Sequence, residues 1–276
     1  MKLYKTSQGI FIQKKDLFYP VVETNWDLFL NDDQLFSKME KLIQTTAPLP
    51  HGIPETAFQA PIGAQELWAC GVTYLRSKVG RQEESKAAGG SDFYAKVYDA
   101  ERPEVFFKAT AHRVVGHGNQ VAIRKDSIWD VPEPELTLAV TSSGKIVGYT
   151  IGNDMSSRSI EGENPLYLPQ AKTYDGCAAI GPCIYVPAIP LELDTRIRLE
   201  IQRNNRIVFK GSVTISQMKR TPEELVAYVY RACSFPAGCL IMTGTGIVPA
   251  NDFTLSSGDG IRISIDKIGT LYNTVR

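Results

Sequence analysis

Apolar residues recur along the chain with two different periods. Between residues 26 and 43, Leu28, Phe29, Leu35, Phe36, Met39, Leu42 and Ile43 follow the 3.6-residue repeat of an amphipathic helix, preceded by short strands expected at 10–12 and 18–22. Pro48, Pro50, Gly52, Pro54 and Pro61 then give residues 45–61 the composition of a linker. The chain therefore divides into a small N-terminal domain and linker, 1–60, and a main domain, 61–276. Beyond the linker the repeat changes to two. Strands are expected at 105–108, 136–140, 146–151, 196–201, 207–213 and 261–265.

Two helices interrupt this β pattern. Thr221-Pro222-Glu223-Glu224 combines an N-cap, a first-turn proline and a capping-box glutamate ahead of Leu225, Val226, Val229 and Tyr230. The polar stretch 76–86 runs into Ala87-Ala88-Gly89-Gly90, the composition of a closing lid or of a solvated loop.

The segment Val131-Pro132-Glu133-Pro134-Glu135-Leu136-Thr137-Leu138-Ala139-Val140 has prolines at alternate positions, which forbid a helix interior. As a strand it puts Glu133, Glu135, Thr137 and Ala139 on one face and Pro134, Leu136, Leu138 and Val140 on the other. A two-residue Ser143-Gly144 turn makes paired positions sum to 287, so Val140 faces Val147, Glu135 faces Gly152 and Glu133 faces Asp154. Opposed residues point to the same face, so Glu133, Glu135 and Asp154 converge. Three carboxylates so placed repel, and a divalent cation removes the conflict. All-oxygen ligation favours Mg²⁺, Mn²⁺ or Ca²⁺ over Zn²⁺ or Cu²⁺. The plainer alternative is a wet polar face on an edge hairpin.

Charge and composition narrow the rest. Thirty Lys and Arg balance thirty Asp and Glu, so no net field draws in nucleic acid or an anionic membrane. No apolar run reaches the 18 or so residues of a membrane span, and the N-terminal residues lack the apolar core of a leader peptide, which points to the cytoplasm. Cys70, Cys177, Cys183, Cys233 and Cys239 form no C-x-x-C pair and are expected to be reduced.

Glu133-x-Glu135, the run Gly148-Tyr149-Thr150-Ile151-Gly152-Asn153-Asp154-Met155-Ser156-Ser157-Arg158, then Gln170-Ala171-Lys172-Thr173-Tyr174-Asp175-Gly176 and Gly181-Pro182 resemble the fumarylacetoacetate hydrolase superfamily, as do Phe106-Phe107-Lys108 and Thr243-Gly244-Thr245-Gly246. The resemblance covers about residues 60–275. It implies a mainly β (α+β) fold, a mixed β-sandwich roll with a small N-terminal α/β domain. It also implies Mg²⁺ or Mn²⁺ held by Glu133, Glu135 and Asp154, small-molecule 2-oxo acid substrates, and a homodimer or homotetramer. Family hydrolases place a water-activating His where this chain has Ser77, and a lone serine hydroxyl does not generate hydroxide.

The block 159–172, with 102–108, is similar to the 2-keto-3-deoxy-D-arabinonate dehydratase branch. That likeness implies Lys172 and Glu104 as the acid–base pair. Lys172 would take the C3 proton of a 2-oxo-3-deoxy sugar acid and Glu104 would protonate the departing C4 hydroxyl, or the two roles exchange. Arg158 and Thr245 are candidate substrate contacts, joined by Arg76 and Ser77 when the lid closes. Two alternatives remain: a metal-dependent C–C hydrolase using Glu83 or Glu84 as base, and a sandwich module with a structural Ca²⁺ site.

Overall fold

In a computed structural model, the described residues are 1–84 and 96–276, apart from the side chains of Glu83 and Glu84. The expected lid tip at 87–90, and those two glutamates as bases, lie outside them. Fifteen strands among the described residues build two sheets.

The larger sheet contains β1 (Lys2–Thr6), β2 (Gly9–Lys14), β3 (Leu17–Pro20), β4 (Glu66–Gly71), β5 (Glu104–Ala109), β6 (Val114–Val115), β8 (Asp130–Val140), β9 (Ile146–Ser157), β10 (Ala178–Tyr185) and β13 (Cys239–Met242). Its order is β3-β2-β1-β10-β9-β8-β13-β4-β5, with β6 paired to β10. The β13–β4 and β10–β6 pairs are parallel and the others antiparallel, so the sheet is mixed. The smaller sheet runs β12 (Arg206–Thr214), β11 (Arg196–Arg203), β14 (Gly260–Ile265), β15 (Gly269–Val275), β7 (Gln120–Val121).

The pleat of β8 shows how the layers are arranged. Leu136, Leu138 and Val140 join a core with Ile197, Leu199, Ile201, Ile261 and Ile263 of the smaller sheet. Ala139, on the other face, joins Leu3, Ile12, Trp26, Phe29, Leu35 and Met39. Both faces of the larger sheet are therefore covered, and every residue of β8 is buried.

The expected single N-terminal helix is two, α1 (Trp26–Leu30) and α2 (Leu35–Thr45). The break between them grips the tip of the β8–β9 hairpin. Asn31 accepts from the Ser142 N–H (2.7 Å), and Asp33 accepts from the Thr141 (2.6 Å) and Ser143 (2.8 Å) hydroxyls. A boundary near residue 60 therefore does not separate two cores. Strand β1, absent from the sequence reading, pairs with β10, and residues on both sides of the linker share one apolar cluster.

The hairpin turn also differs from expectation. Thr141 N–H donates to the Lys145 carbonyl, leaving the three-residue loop Ser142–Gly144 with Gly144 in the left-handed region that glycine tolerates (φ +84°). Val140 consequently pairs with Ile146, not Val147. A bulge next to Ala139 absorbs the extra residue, so Ala139 faces Gly148, Glu135 faces Gly152 and Glu133 faces Asp154 as expected.

Candidate metal centre and cavity

Glu133, Glu135 and Asp154 lie on the sheet face that is apolar around Leu3 and Phe29 and polar at this end. All three are buried, and one carboxylate oxygen from each lies within 4.8 Å of the others. Roofing them are α3 (Leu75–Glu84), α4 (Arg158–Glu163) and α5 (Leu168–Lys172). The enclosed cavity, lined in part by Ser77, Arg81, Phe106, Arg158, Lys172 and Thr245, is about 10 Å³, room for one water molecule.

Lys172, at the last position of α5, is wholly buried. Its ammonium donates to Glu133 Oε2 (3.0 Å), Asp154 Oδ2 (2.9 Å) and Ser156 Oγ (2.6 Å), and it lies over the Phe106 ring. A second buried lysine, Lys108 on β5, pairs with Asp154 Oδ1 and donates to the Met155 and Lys172 carbonyls. Two hydrogen bonds and this ion pair hold Asp154 and the end of α5 together.

Charge is distributed unevenly over the three acids. Burial raises Asp154, but the Lys108 and Lys172 ammoniums outweigh that and hold it below its ordinary value. Burial, followed by Asp154 and Glu133, pushes Glu135 well above the usual carboxylate range, with Lys172 and a 2.6 Å bond from the Gly244 N–H opposing. Glu133 is bound by Arg158 at 2.8 Å. Glu135, left facing two like charges, is the feature a divalent cation fits: hard oxygen donors only, buried, and in need of positive charge.

The remaining sequence candidates occupy distinct places. Ser77 and Thr245 are in the cavity wall, but Ser77 Oγ donates to the Tyr74 carbonyl (2.7 Å) and Thr245 Oγ1 to the Ile247 carbonyl (3.2 Å). The Gly244 N–H, next to Thr245, is taken by Glu135. Burial, then the Arg81 and Arg76 guanidiniums, hold Arg158 well below its usual value, so Arg76 is near the site without being in the cavity wall. Glu104, on β5, lies against Gly71 of β4, with Oε2 buried and without a hydrogen-bond partner among the described residues. Burial, with Glu135 and Glu104 on either hand, pushes the Cys70 thiol up, so it stays protonated. All five cysteines are free.

Three participants were given no role of their own by the sequence reading. Lys108 could have been found from its position: a lysine two residues after Phe106 in the run Val105-Phe106-Phe107-Lys108-Ala109 falls on the same strand face as Glu104 and needs a buried partner. Arg81, buried on α3 and ion-paired with buried Glu161 of α4, gives no such signal. Val72, which follows β4 and lines the cavity, has φ +52°, a rare setting for a β-branched residue that only the backbone reveals.

A buried E-x-E…D face on a mixed two-sheet sandwich is the family's arrangement, and the chain belongs to the fumarylacetoacetate hydrolase family: residues 75–276 match its model, Fumarylacetoacetate (FAA) hydrolase C-terminal. Among its relatives are a probable 2-keto-3-deoxyxylonate dehydratase of Haloferax volcanii, 50% identical over 218 residues (78% of this chain, 73% of the relative), and a 2-dehydro-3-deoxy-D-arabinonate dehydratase of Saccharolobus solfataricus, 47% identical over 220 residues (78% and 73%). The solved structure of a 2-keto-3-deoxy-D-arabinonate dehydratase complexed with magnesium and 2,5-dioxopentanoate superposes with a TM-score of 0.86 at 37% identity, covering 100% of this chain and 99% of that one. The mainly β, two-sheet fold expected from the sequence is the fold of these enzymes.

Proposed function

We propose that the protein is a Mg²⁺-dependent hydro-lyase that converts 2-keto-3-deoxy-D-arabinonate, or a close 2-keto-3-deoxy sugar acid, to 2-oxoglutarate semialdehyde. The observation that carries this reading is Lys172: a wholly buried amine within hydrogen-bond reach of two of the three clustered carboxylates, in a cavity lined by no histidine among the described residues. The names of the two relatives and of the magnesium complex support it.

Glu133, Glu135 and Asp154 would hold the ion, with Mn²⁺ or Ca²⁺ as other oxygen-seeking candidates. When bound, it supplies Lewis-acid charge beside the substrate's 2-oxo group, where negative charge develops as a C3 proton leaves. Lys172, in its neutral amine form, takes that proton. Glu104 gives a proton to the C4 hydroxyl, which departs as water, and the unsaturated product isomerises to the aldehyde with every carbon retained. Phe106 and Val72 close the cavity wall and limit the entry of bulk water. Arg158, already bonded to Glu133, orients that carboxylate and adds positive charge at the substrate's acid end.

The test is incubation with Mg²⁺ and 2-keto-3-deoxy-D-arabinonate, followed by NMR, with an EDTA control. An aldehyde with no carbon lost, abolished by EDTA, is the expected result. Inertness toward this substrate together with cleavage of acylpyruvates would overturn the dehydratase in favour of a hydrolase.

A further inference from the structure

Glu104 and Gly71 are direct partners across the β4–β5 pair, and Gly71 lines the cavity. The absence of a side chain at Gly71 has a specific occupant. A Cβ built there would overlap Glu104 Oε2 and lie 2.6 Å from its Cδ, closer than non-bonded carbon atoms approach. The glutamate thus folds its carboxylate over the bare α-carbon of its partner, in the space that any other residue would fill. Gly71 has no positive φ to require glycine, so the backbone does not account for the residue. Buried Glu104 Oε2 also lacks a hydrogen-bond partner among the described residues, which costs free energy unless the atom is kept for a ligand.

We propose that Gly71 is a positioning residue for the dehydration, and that its missing side chain is the slot through which the Glu104 carboxylate reaches the cavity. The inference rests on the assignment of Glu104 as the proton donor to the C4 hydroxyl. Gly71 itself touches no reacting atom. Its effect is geometric: a methyl group there swings the carboxylate away by an ångström or more, the scale of displacement that costs about 100-fold in rate.

The experiment combines Gly71→Ala with changes at Glu104 in the Mg²⁺-loaded full chain. Gly71→Ala should lower kcat by about 100-fold, with KM and the Mg²⁺-induced rise in melting temperature nearly unchanged. Glu104→Asp is one methylene shorter and clears the added methyl, so the double variant should recover about 10-fold of the loss. In a Glu104→Gln background, Gly71→Ala should have no further effect on kcat. A Gly71→Ala enzyme with wild-type kcat, or one whose defect adds in full to that of Glu104→Gln, overturns the role of Gly71 and leaves the assignment of Glu104 standing. Wild-type kcat in Glu104→Gln overturns both.

Discussion

Replacing Glu135 by Gln should stabilise the metal-free protein and weaken its response to Mg²⁺ at the same time. The carboxylate is 2% exposed and faces Glu133 and Asp154 with oxygens no more than 4.8 Å apart. At an effective dielectric constant of about 20, each unit-charge repulsion at that range is worth roughly 3.5 kcal/mol. Attraction to Lys172 offsets about half of the two repulsions, and the weaker acceptor strength of an amide toward the Gly244 N–H takes back about 1 kcal/mol. A net gain of about 1–3 kcal/mol remains, which raises the melting temperature by a few degrees in a chain of this size. With Mg²⁺ the order should reverse, because saturating the wild type at about 100 times Kd adds about 2.7 kcal/mol that the two remaining acids hold only at higher ion concentration. Thermal melts in EDTA and across a Mg²⁺ titration read both effects. Glu135→Gln melting below wild type in EDTA, with an unchanged Mg²⁺ shift, would refute the reasoning.

Lys108→Met removes the donor to two carbonyls and the partner of Asp154 Oδ1, a buried pair broken from one side, and should cost about 3–5 kcal/mol in urea denaturation. A loss below 1 kcal/mol would show that the ammonium is replaceable there. Arg81→Met should be similarly costly because it strands buried Glu161, whereas Arg81→Met with Glu161→Met should recover most of the stability, as the double-mutant comparison will tell. Asp154, held below its ordinary 3.8, contributes stability that is complete above that value and is lost as pH falls through the lowered one. The metal-free wild type should therefore lose more stability than Asp154→Asn as pH drops below about 4, and parallel acid-unfolding curves would contradict it.

The acidic face was legible because a strand enforces a strict period of two: once Pro132 and Pro134 exclude a helix, Glu133 and Glu135 must share a side, and pairing delivers Asp154 to it. Thr221 was legible for a similar local reason, and its hydroxyl accepts from the Glu224 N–H as an N-cap should. What escaped depends on contacts remote in sequence. Strand β1 exists because β10 offers it an edge. The interruption between α1 and α2 exists because Asn31 and Asp33 must reach the hairpin tip, which overrides an apolar period that runs through the break. Arg81 and Glu161 are each unremarkable polar residues on short helices until packing buries them together.

The compensating turn and bulge of the β8–β9 hairpin work like a vernier. One added residue in the loop is cancelled by one added residue at Val147, and seven residues farther along β8, about 24 Å away, the acids come into line. Pairing Val147 with Ala139 in place of the bulge, with the same loop kept, would slip the register by one and turn Asp154 to the opposite side of the pleat from Glu133 and Glu135. The meeting of the charges at one end of this sheet therefore depends on a bulge kept beside the turn at the other.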